Sequence, residues 1–254
     1  MTGSLALPHA FSILQRSRIA LRVAAMAALL LICIPLHFLC KPFTRHCPVP
    51  RLFLFGVCWI GGIDVLIEGQ QVRRGAVLLA NHVSWIDIPV IGLATGAAFV
   101  GHDGLASMPL LRWLCTMNDT VFVARHDRAS IHAQVEQVRA AIRDTGALAV
   151  FPEGTTSDGT GLLPFKSSLL SALDPLPTGV AVQPVLLDFG PEAADLAWIG
   201  TEHGVDNFKR ILARSRPLVV TVHFLPPLTG EALTGRKAMA AAARTAILAA
   251  MQQR

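Results

Sequence analysis

Hydrophobic and polar residues alternate along most of the chain in blocks that fit short buried strands separated by amphipathic helices. Apolar runs such as Ala76–Ala80 follow turn residues, as expected for strands buried on both faces. A series of apolar residues at helical spacing begins at Ile131, and Gly146 follows it as a helix-ending residue. We predict strands at Asp64–Glu68, Ala76–Ala80, Thr120–Ala124, Ala147–Phe151, Val180–Leu187 and Pro217–Phe224, and helices at Trp85–Leu93, Ile131–Ile142 and Arg236–Arg254. This alternation predicts an α/β fold with a mixed sheet flanked by helices.

A long apolar segment precedes the α/β pattern. Between Ile19 and Cys40, only Arg22 and His37 interrupt the hydrophobic residues, and about 20 apolar residues suffice to cross a bilayer as a helix. Because no small-residue cleavage site follows Cys40, we favour a retained membrane helix over a cleaved signal peptide. Arg22 would reach toward the lipid headgroups, and Pro35 would kink the far end or tip it into a re-entrant shape.

A second apolar segment, Leu52–Ile63, is too short to span a bilayer. We interpret it as either an interfacial segment or a core helix. The chain then divides into an N-terminal tail at 1–18, a membrane helix or hairpin at 19–63 and a folded domain at 64–254. Basic residues flank the apolar segment on both sides, so their distribution does not fix its orientation in the membrane.

Composition and charge narrow the classes of function. Hydrophobic residues make up 52% of the chain and charged residues only 15%, against about 25% charged residues in an average soluble domain. The mean hydropathy of +0.51 also indicates membrane contact. The net charge of +5 is scattered and aromatic residues amount to 6%, so the basic stripe and stacking residues of a nucleic-acid-binding protein are missing from the sequence. We expect an anionic membrane surface or substrate, and no nucleic acid.

The five cysteines indicate neither a disulfide framework nor a zinc site. Their number is odd, and none are spaced Cys-x-x-Cys. Four of them lie in the apolar N-terminal quarter, where cysteine serves as a small hydrophobic residue in a reducing compartment. We expect neither a metal nor a cofactor.

A histidine and an aspartate follow the predicted strand Ala76–Ala80. The segment Asn81–Asp87 reads NHVSWID, with four residues between His82 and Asp87. This spacing does not place the two side chains on one face of a helix, but a tight turn from strand to helix can bring the carboxylate to one imidazole nitrogen. The other nitrogen would then act as general base on a substrate hydroxyl. Alternatively, both are ordinary polar residues at the start of a helix.

Further polar residues follow two other predicted strands. Arg125 ends the segment FVAR and can bind a phosphate or carboxylate through two hydrogen bonds, with a surface salt bridge as the alternative. The strand Ala147–Phe151 continues into PEGTTSDG, where backbone N–H groups can bind an anion and Glu153 can accept hydrogen bonds from a headgroup. Lys166 adds a cation near a helix start. Pro184, inside the run VQPV, suggests a sheet edge or strand end, with plain sheet core as the alternative.

Together these segments resemble the glycerolipid acyltransferases, the family of bacterial 1-acyl-sn-glycerol-3-phosphate acyltransferase. That family combines His-x4-Asp, Phe-x-x-Arg, Glu-Gly-Thr and Val-x-Pro motifs in the order found here between Val65 and Leu228. The resemblance implies direct transfer of a fatty acyl group from acyl-CoA or acyl-carrier protein to a lysolipid, with no acyl-enzyme. We therefore expect an enzyme of the cell inner membrane, with its active domain on the cytoplasmic side. The predicted site comprises His82 and Asp87 for catalysis and Arg125, Glu153, Gly154, Thr155 and Lys166 for substrate binding.

Two departures from the family pattern concern the acceptor. The family continues Glu-Gly-Thr with Arg-Ser, where this chain has Thr156 and Ser157, and it often has a lysine where this chain has His102. The arginine and the lysine that the family has at these two positions are candidates for phosphate binding, and this chain lacks both. The run EGTTSDG looks like that of lyso-ornithine-lipid acyltransferases, whose acceptor lacks a phosphate. Because Arg125 and Lys166 remain as cations, we expect 1-acyl-sn-glycerol 3-phosphate as the acceptor, with lyso-ornithine lipid as the alternative.

Three other functions stay open at this point. A serine hydrolase could use Ser84, Ser157 or Ser167, although the sequence has no Gly-x-Ser-x-Gly motif. A non-catalytic lipid-binding module would need only the anchor and the basic charge. A metalloenzyme could use His82 and Asp87 as ligands, although no third ligand stands at a recognisable spacing.

Overall fold

The computed structural model of the protein describes residues 11–44, 47–102, 109–117, 120–123 and 131–253. The α-helices of this part are α1 (Ile13–Cys40), α2 (Val49–Gly61), α3 (Asp87–Thr95), α4 (Pro109–Met117), α5 (Ile131–Thr145), α6 (Ala193–Leu196), α7 (Gly204–Leu212) and α8 (Arg236–Met251). Its strands are β1 (Ile63–Gly69), β2 (Ala76–Ala80), β3 (Ala98–His102), β4 (Val121–Val123), β5 (Ala147–Val150), β6 (Ala181–Asp188) and β7 (Leu218–Phe224).

The described strands form one sheet in the order β1-β7-β6-β2-β5-β3-β4. The pairs are parallel except for β6 with β7, which run antiparallel. The predicted mixed sheet flanked by helices is therefore confirmed. Each predicted strand lies within one or two residues of an observed one, whereas β3, α4, α6 and α7 were not predicted.

Both faces of the sheet are covered, which explains the uninterrupted apolar sequence of β2. Ala76, Leu78 and Ala80 point to a core shared with α2, α3 and α7. Val77 and Leu79 point to the opposite core, shared with α5 and α8. All five side chains are fully buried. The loops at the two ends of the central strands remain as the places where a ligand can reach the sheet.

Helix α1 begins earlier than predicted and continues through Pro35 to Cys40. Its start is set by a capping box, in which Ser12 and Gln15 bond each other's backbone N–H groups. The helix is long and apolar enough to cross a membrane, with a mean hydropathy of 2.5 over an 18-residue stretch. Arg22 does not reach outward as expected, because its guanidinium donates to the carbonyls of Leu212 and Arg214. These bonds tie α1 to the end of α7.

Helix α2 joins α1 to the sheet. A β-carbon on Gly56 would lie 2.4 Å from Leu29 of α1, and one on Gly92 of α3 would lie 2.2 Å from Leu54 of α2. The absence of side chains at these glycines thus lets the three helices approach closely. The opposite face of α2 carries exposed apolar residues such as Phe55. The predicted core contact of this segment is therefore confirmed for one face of the helix, and a position of the other face at a membrane interface stays a prediction.

The interpretation of Pro184 as a sheet-edge residue was wrong, and the alternative of sheet core is right. Pro184 lies in β6, opposite Leu79 of β2, with β7 on its other side. The ladder to β7 begins only at Val185. The carbonyl of Pro184 accepts from the N–H of Leu225, just beyond the end of β7. Its missing N–H therefore falls where the antiparallel ladder has already stopped, and no ladder bond is lost.

Candidate active site

The candidate site lies at the carboxyl ends of two neighbouring parallel strands. Leu79 of β2 pairs with Val150 of β5, so the segments that follow the two strands emerge side by side. The first carries His82 and the second carries Glu153. Parallel strands in α/β sheets place their functional loops at this edge. The predicted polar motifs are thus brought together by the sheet itself.

The turn after β2 brings His82 and Asp87 into direct contact. Nδ1 of His82 lies 2.6 Å from Oδ2 of Asp87. The same oxygen accepts the backbone N–H groups of Val83 at 2.6 Å and Ser84 at 3.0 Å. Asp87 is fully buried and begins α3, whereas 20% of the His82 side chain is exposed. The carboxylate therefore fixes both the turn and the orientation of the imidazole, and Nε2 on the far side of the ring is left for a substrate.

The ring of Phe151 packs against one face of the His82 imidazole. The two rings are stacked at a centroid distance of 4.3 Å and an angle of 19°. Phe151 directly follows β5, and Phe99 of β3 lies beyond it, with ring centroids 6.3 Å apart. Together with the bond to Asp87, this stacking restricts rotation of the His82 ring about both of its free torsions.

Glu153 lies behind His82 and is fully buried. Its Oε1 accepts the backbone N–H of His82 at 2.8 Å, and its Oε2 accepts the N–H of Leu163 at 2.8 Å. Burial raises the pKa of the Glu153 carboxyl, while these backbone donors and His82 act in the opposite direction. The sequence suggested a headgroup ligand, but the structure places this carboxylate where it joins the two loops of the site.

Hydrogen bonds from Ser157 add a second connection between the loops. Its N–H and its hydroxyl both donate to the carbonyl of His82, at 2.7 and 3.1 Å. The backbone of His82 is thus held on both sides, at its N–H by Glu153 and at its carbonyl by Ser157. Ser84 is fully buried, and its hydroxyl donates to Asn207 at 3.1 Å. Because both serine hydroxyls are bonded away from the imidazole, neither is arranged as the nucleophile of a hydrolase.

An apolar cavity of about 770 Å³ opens beside His82. Gly154 and Thr155, both predicted to bind substrate, lie in its wall. The rest of the wall is mostly apolar and comes from α1, α2, β3 and α4. Residues that line it include Met26, Leu30, Phe53, Val57, Trp85, Phe99 and Leu114. The cavity thus runs from the imidazole toward the helix that can enter a membrane.

Two of the predicted substrate ligands, Arg125 and Lys166, are not among the described residues that line this cavity. Arg125 lies outside the part of the chain that the structure describes. Lys166 is exposed and precedes a 3-10 helix at Ser167–Leu173, which agrees with the predicted helix start. Its backbone N–H donates to Pro152 at 2.7 Å. This bond places the backbone of Lys166 beside Pro152, which precedes Glu153.

Several supporting residues were missed by the sequence analysis. Asn81 joins β2 to β6, since its amide donates to the carbonyl and accepts from the N–H of Leu187. Asn207 of α7, fully buried, accepts from Ser84 and donates to the carbonyl of Ala197. Trp198 follows, and its N–H donates to the carbonyl of Val83. Only Asn81, which directly precedes His82, could have been suspected from the local sequence. The hydrogen bonds that link Asn81 to Leu187 and Ser84 to Asn207 join positions more than 100 apart, so no local pattern indicated them.

Comparison with known proteins agrees with this geometry. The model of a protein family described as Acyltransferase matches residues 64–188. A lyso-ornithine lipid O-acyltransferase of Rhodobacter capsulatus is 32% identical, covering 94% of this chain and 92% of that protein. Another, from Brucella abortus, is 31% identical, covering 92% and 94%. A 1-acyl-sn-glycerol-3-phosphate acyltransferase of Neisseria gonorrhoeae is 33% identical over a shorter stretch, 44% of this chain and 45% of that one.

A solved structure shares the fold. The crystal structure of the 1-acyl-sn-glycerophosphate acyltransferase from Thermotoga maritima superposes with a TM-score of 0.66. The match covers 94% of this chain and 97% of that one, at 22% sequence identity. At this identity the likeness supports the arrangement of sheet and helices.

We expect Glu153→Gln to destabilise the protein. A glutamine has one acceptor oxygen, so its amide would turn N–H groups toward one of the two backbone donors that the carboxylate now satisfies. An unsatisfied buried donor costs about 1–3 kcal/mol of unfolding free energy. The thermal unfolding midpoint in detergent should fall clearly, whereas Glu231→Gln at an exposed position should leave it unchanged. Equal midpoints for the two variants would contradict the role of Glu153 as the link between the loops.

Proposed function

Because the chain belongs to the acyltransferase family, we propose that it moves a fatty acyl group from a thioester donor to the free hydroxyl of a lysolipid. The observation that carries this proposal is the contact of His82 with the buried Asp87 at the mouth of an apolar cavity. A hydroxyl needs a general base to become a good nucleophile, and an imidazole held by a carboxylate supplies one. The cavity supplies a site for the hydrocarbon chain.

The reaction follows from the free nitrogen of His82. Nε2 takes the proton of the acceptor hydroxyl while the hydroxyl oxygen attacks the thioester carbonyl. The carbon–sulfur bond then breaks, and the imidazolium returns its proton to the departing thiolate. The products are an ester and a free thiol, and His82 is restored. Asp87 stabilises the imidazolium and keeps Nδ1 protonated, as in other His–Asp pairs. Direct transfer is supported by two of the three candidate nucleophiles, Ser84 and Ser157, because their hydroxyls are bonded elsewhere.

The cavity fits an acyl chain better than a polar headgroup. Its volume of about 770 Å³ lies within the usual range for small-molecule sites, about 300–1,000 Å³. Most of its wall is hydrocarbon, and α1 and α2 contribute a large share. An acyl chain buried there would leave the thioester carbonyl beside His82. Gly154 and Thr155 would then contact the reacting end of the substrate.

Lyso-ornithine lipid is the acceptor that we propose first. The relatives that match almost the whole chain are lyso-ornithine lipid O-acyltransferases. At the position where phosphate-acceptor enzymes continue with arginine, the hydroxyl of Thr156 donates to the carbonyl of Trp198. This neutral residue binds the neighbouring loop and offers no charge to a phosphate.

The acceptor expected first from the sequence, 1-acyl-sn-glycerol 3-phosphate, is the second candidate. A partial match to an acyltransferase of that name supports it. Arg125 and Lys166 are the cations that would bind its phosphate in the way that the sequence motif suggests. Both acceptors present a hydroxyl near an acyl chain, so the same catalytic pair serves either one.

The donor and the location belong to the same proposal. Acyl-CoA or acyl-carrier protein would deliver the thioester from the cytoplasmic side of the cell inner membrane. Residues 19–63 would anchor the protein, and residues 64–254 would form the catalytic domain. The apolar helix α1 supports membrane attachment. The five free cysteines suit the reducing cytoplasm.

The direct test offers the purified protein one radiolabelled acyl-CoA and the two acceptors separately. We expect labelled product with lyso-ornithine lipid. His82→Ala should lower the rate by about 10²–10⁴-fold, which is the usual contribution of a general base. The thermal unfolding midpoint of the variant serves as the control for folding. Full activity in His82→Ala would refute the mechanism, and product with lysophosphatidic acid alone would reverse the order of the acceptors.

A second test concerns the cavity. Ala27 and Ala28 of α1 are both exposed, but only Ala27 lines the cavity. We expect Ala27→Phe to shift the preference toward shorter acyl donors, by about fourfold for each methylene that no longer fits. Ala28→Phe provides a matched control, because it adds the same side chain to the same helix. The measurement is a competition between long and short acyl-CoA. An identical preference in both variants would mean that the chain is bound elsewhere.

A further inference from the structure

A second cleft lies at the amino ends of the central strands β2, β5 and β6, opposite the end that carries His82. It encloses about 730 Å³ between the turns that precede these strands and the start of α2. Gly75, Gly146 and Gly179, all with positive φ, form these turns. The strand β2 has five residues, so the cleft is separated from His82 by about 16 Å of strand. It is a different site from the catalytic one.

Five arginines line this cleft, and they include both members of the pair Arg73–Arg74. The arginines are Arg51, Arg73, Arg74, Arg139 and Arg143. Asp144 is the one acidic residue in the wall. The lining therefore has a strong excess of positive charge, which in a concave site attracts anions. The rest of the wall is mostly glycine, proline and threonine, which leaves room for a bulky polar group.

The arginines differ in how far they are already neutralised. Arg51 donates to the carbonyls of Leu93 and Ala94, Arg139 pairs with Glu136 at 2.8 Å, and Arg143 lies 3.7 Å from Asp144. Arg73 and Arg74 are exposed, and neither has a hydrogen bond or ion pair within the described residues. Structural roles thus explain three of the five arginines, but not the free pair at the cleft's mouth.

The surroundings of the cleft indicate the source of the anion. Its wall includes Cys47, Pro48 and Pro50 at the start of α2. The residues on either side in sequence are strongly exposed apolar ones: Phe43 is 84% exposed and Leu52 53% exposed. Such a surface suits the hydrocarbon of a bilayer better than water. The cleft therefore lies beside a surface suited to lipid contact.

We propose that this arginine cleft binds the phosphate headgroup of an anionic membrane lipid. Guanidinium groups match the geometry of phosphate oxygens and donate two parallel hydrogen bonds. The lipid chains would rest on the apolar surface of α1 and α2, while the headgroup reaches Arg73 and Arg74. Anionic lipid then holds the catalytic domain against the membrane at a second place besides α1. This proposal does not depend on the acyl-transfer chemistry.

Native mass spectrometry of the full chain in nonionic detergent tests the proposal. The probes are phosphatidylglycerol and phosphatidylcholine, each at the same mole fraction. We expect the wild type to bind phosphatidylglycerol at least tenfold more tightly than phosphatidylcholine. Arg73→Gln with Arg74→Gln should abolish this preference, because each basic residue near an anionic surface contributes to binding. Arg73→Lys with Arg74→Lys keeps the charge without the planar fork, so it should retain part of the preference.

A matched control removes the same charge elsewhere. Arg236 and Lys237 are also consecutive, and they begin α8 without lining the cleft. Arg236→Gln with Lys237→Gln should keep the preference for phosphatidylglycerol. Equal loss in both double variants would overturn the proposal, since only net charge would then matter. An unchanged preference in the Arg73 and Arg74 variant would overturn it as well.

Two further measurements distinguish a lipid headgroup from free phosphate and from an acidic protein as the anion that binds the cleft. Inorganic phosphate that displaces phosphatidylglycerol at similar concentration would mean a site for free phosphate and would overturn the lipid assignment. An acidic acyl-carrier protein that binds through Arg73 and Arg74, with no preference among lipids, would overturn it in favour of a protein partner. Failure of phosphate and carrier protein to compete, together with loss of lipid in the cleft variant alone, is the expected result.

Discussion

The site depends on one buried carboxylate oxygen. Oδ2 of Asp87 accepts from the imidazole of His82 and from two consecutive backbone N–H groups. A fully buried carboxylate is costly unless its hydrogen bonds are made. The turn between β2 and α3 provides them to Oδ2, whereas Oδ1 has no hydrogen-bond partner among the described residues. The carboxylate therefore holds the turn in shape, and the turn in return holds the histidine. One interaction thus sets the conformation of the backbone and the orientation of the base.

The rest of the molecule supports that arrangement from several sides. The segment after β5 supplies Phe151, which stacks on the imidazole, and Glu153, which binds the backbone N–H of His82. The apolar helices α1 and α2 form much of the cavity wall, so the helix that is long and apolar enough to cross a membrane also shapes the site. An acyltransferase that acts on lipids needs such continuity, because its acceptor and its products reside in the bilayer.

The sequence predicted the features that depend on neighbouring residues. The apolar run of β2 and the turn that follows it suggested that Asp87 could reach His82, and the structure shows this contact. The role of Glu153 behind the imidazole was not predicted, because its partners His82 and Leu163 become neighbours only when the strands pair. The same holds for Asn207, whose contact with Ser84 spans 123 positions. Helix α7 itself carries Phe208, Ile211 and Leu212 at helical spacing, a signal that could have identified it.

The most direct test of the account concerns the protonation of His82. Asp87 should keep the proton on Nδ1 and leave Nε2 without one, so that Nε2 can accept a proton from the acceptor hydroxyl. Nitrogen-15 NMR of side-chain-labelled protein in detergent, with His82→Ala to assign the signals, distinguishes the two tautomers. For the neutral ring the account predicts a protonated Nδ1 and an unprotonated Nε2. A neutral ring with its proton on Nε2 would contradict the proposed role of His82 as general base.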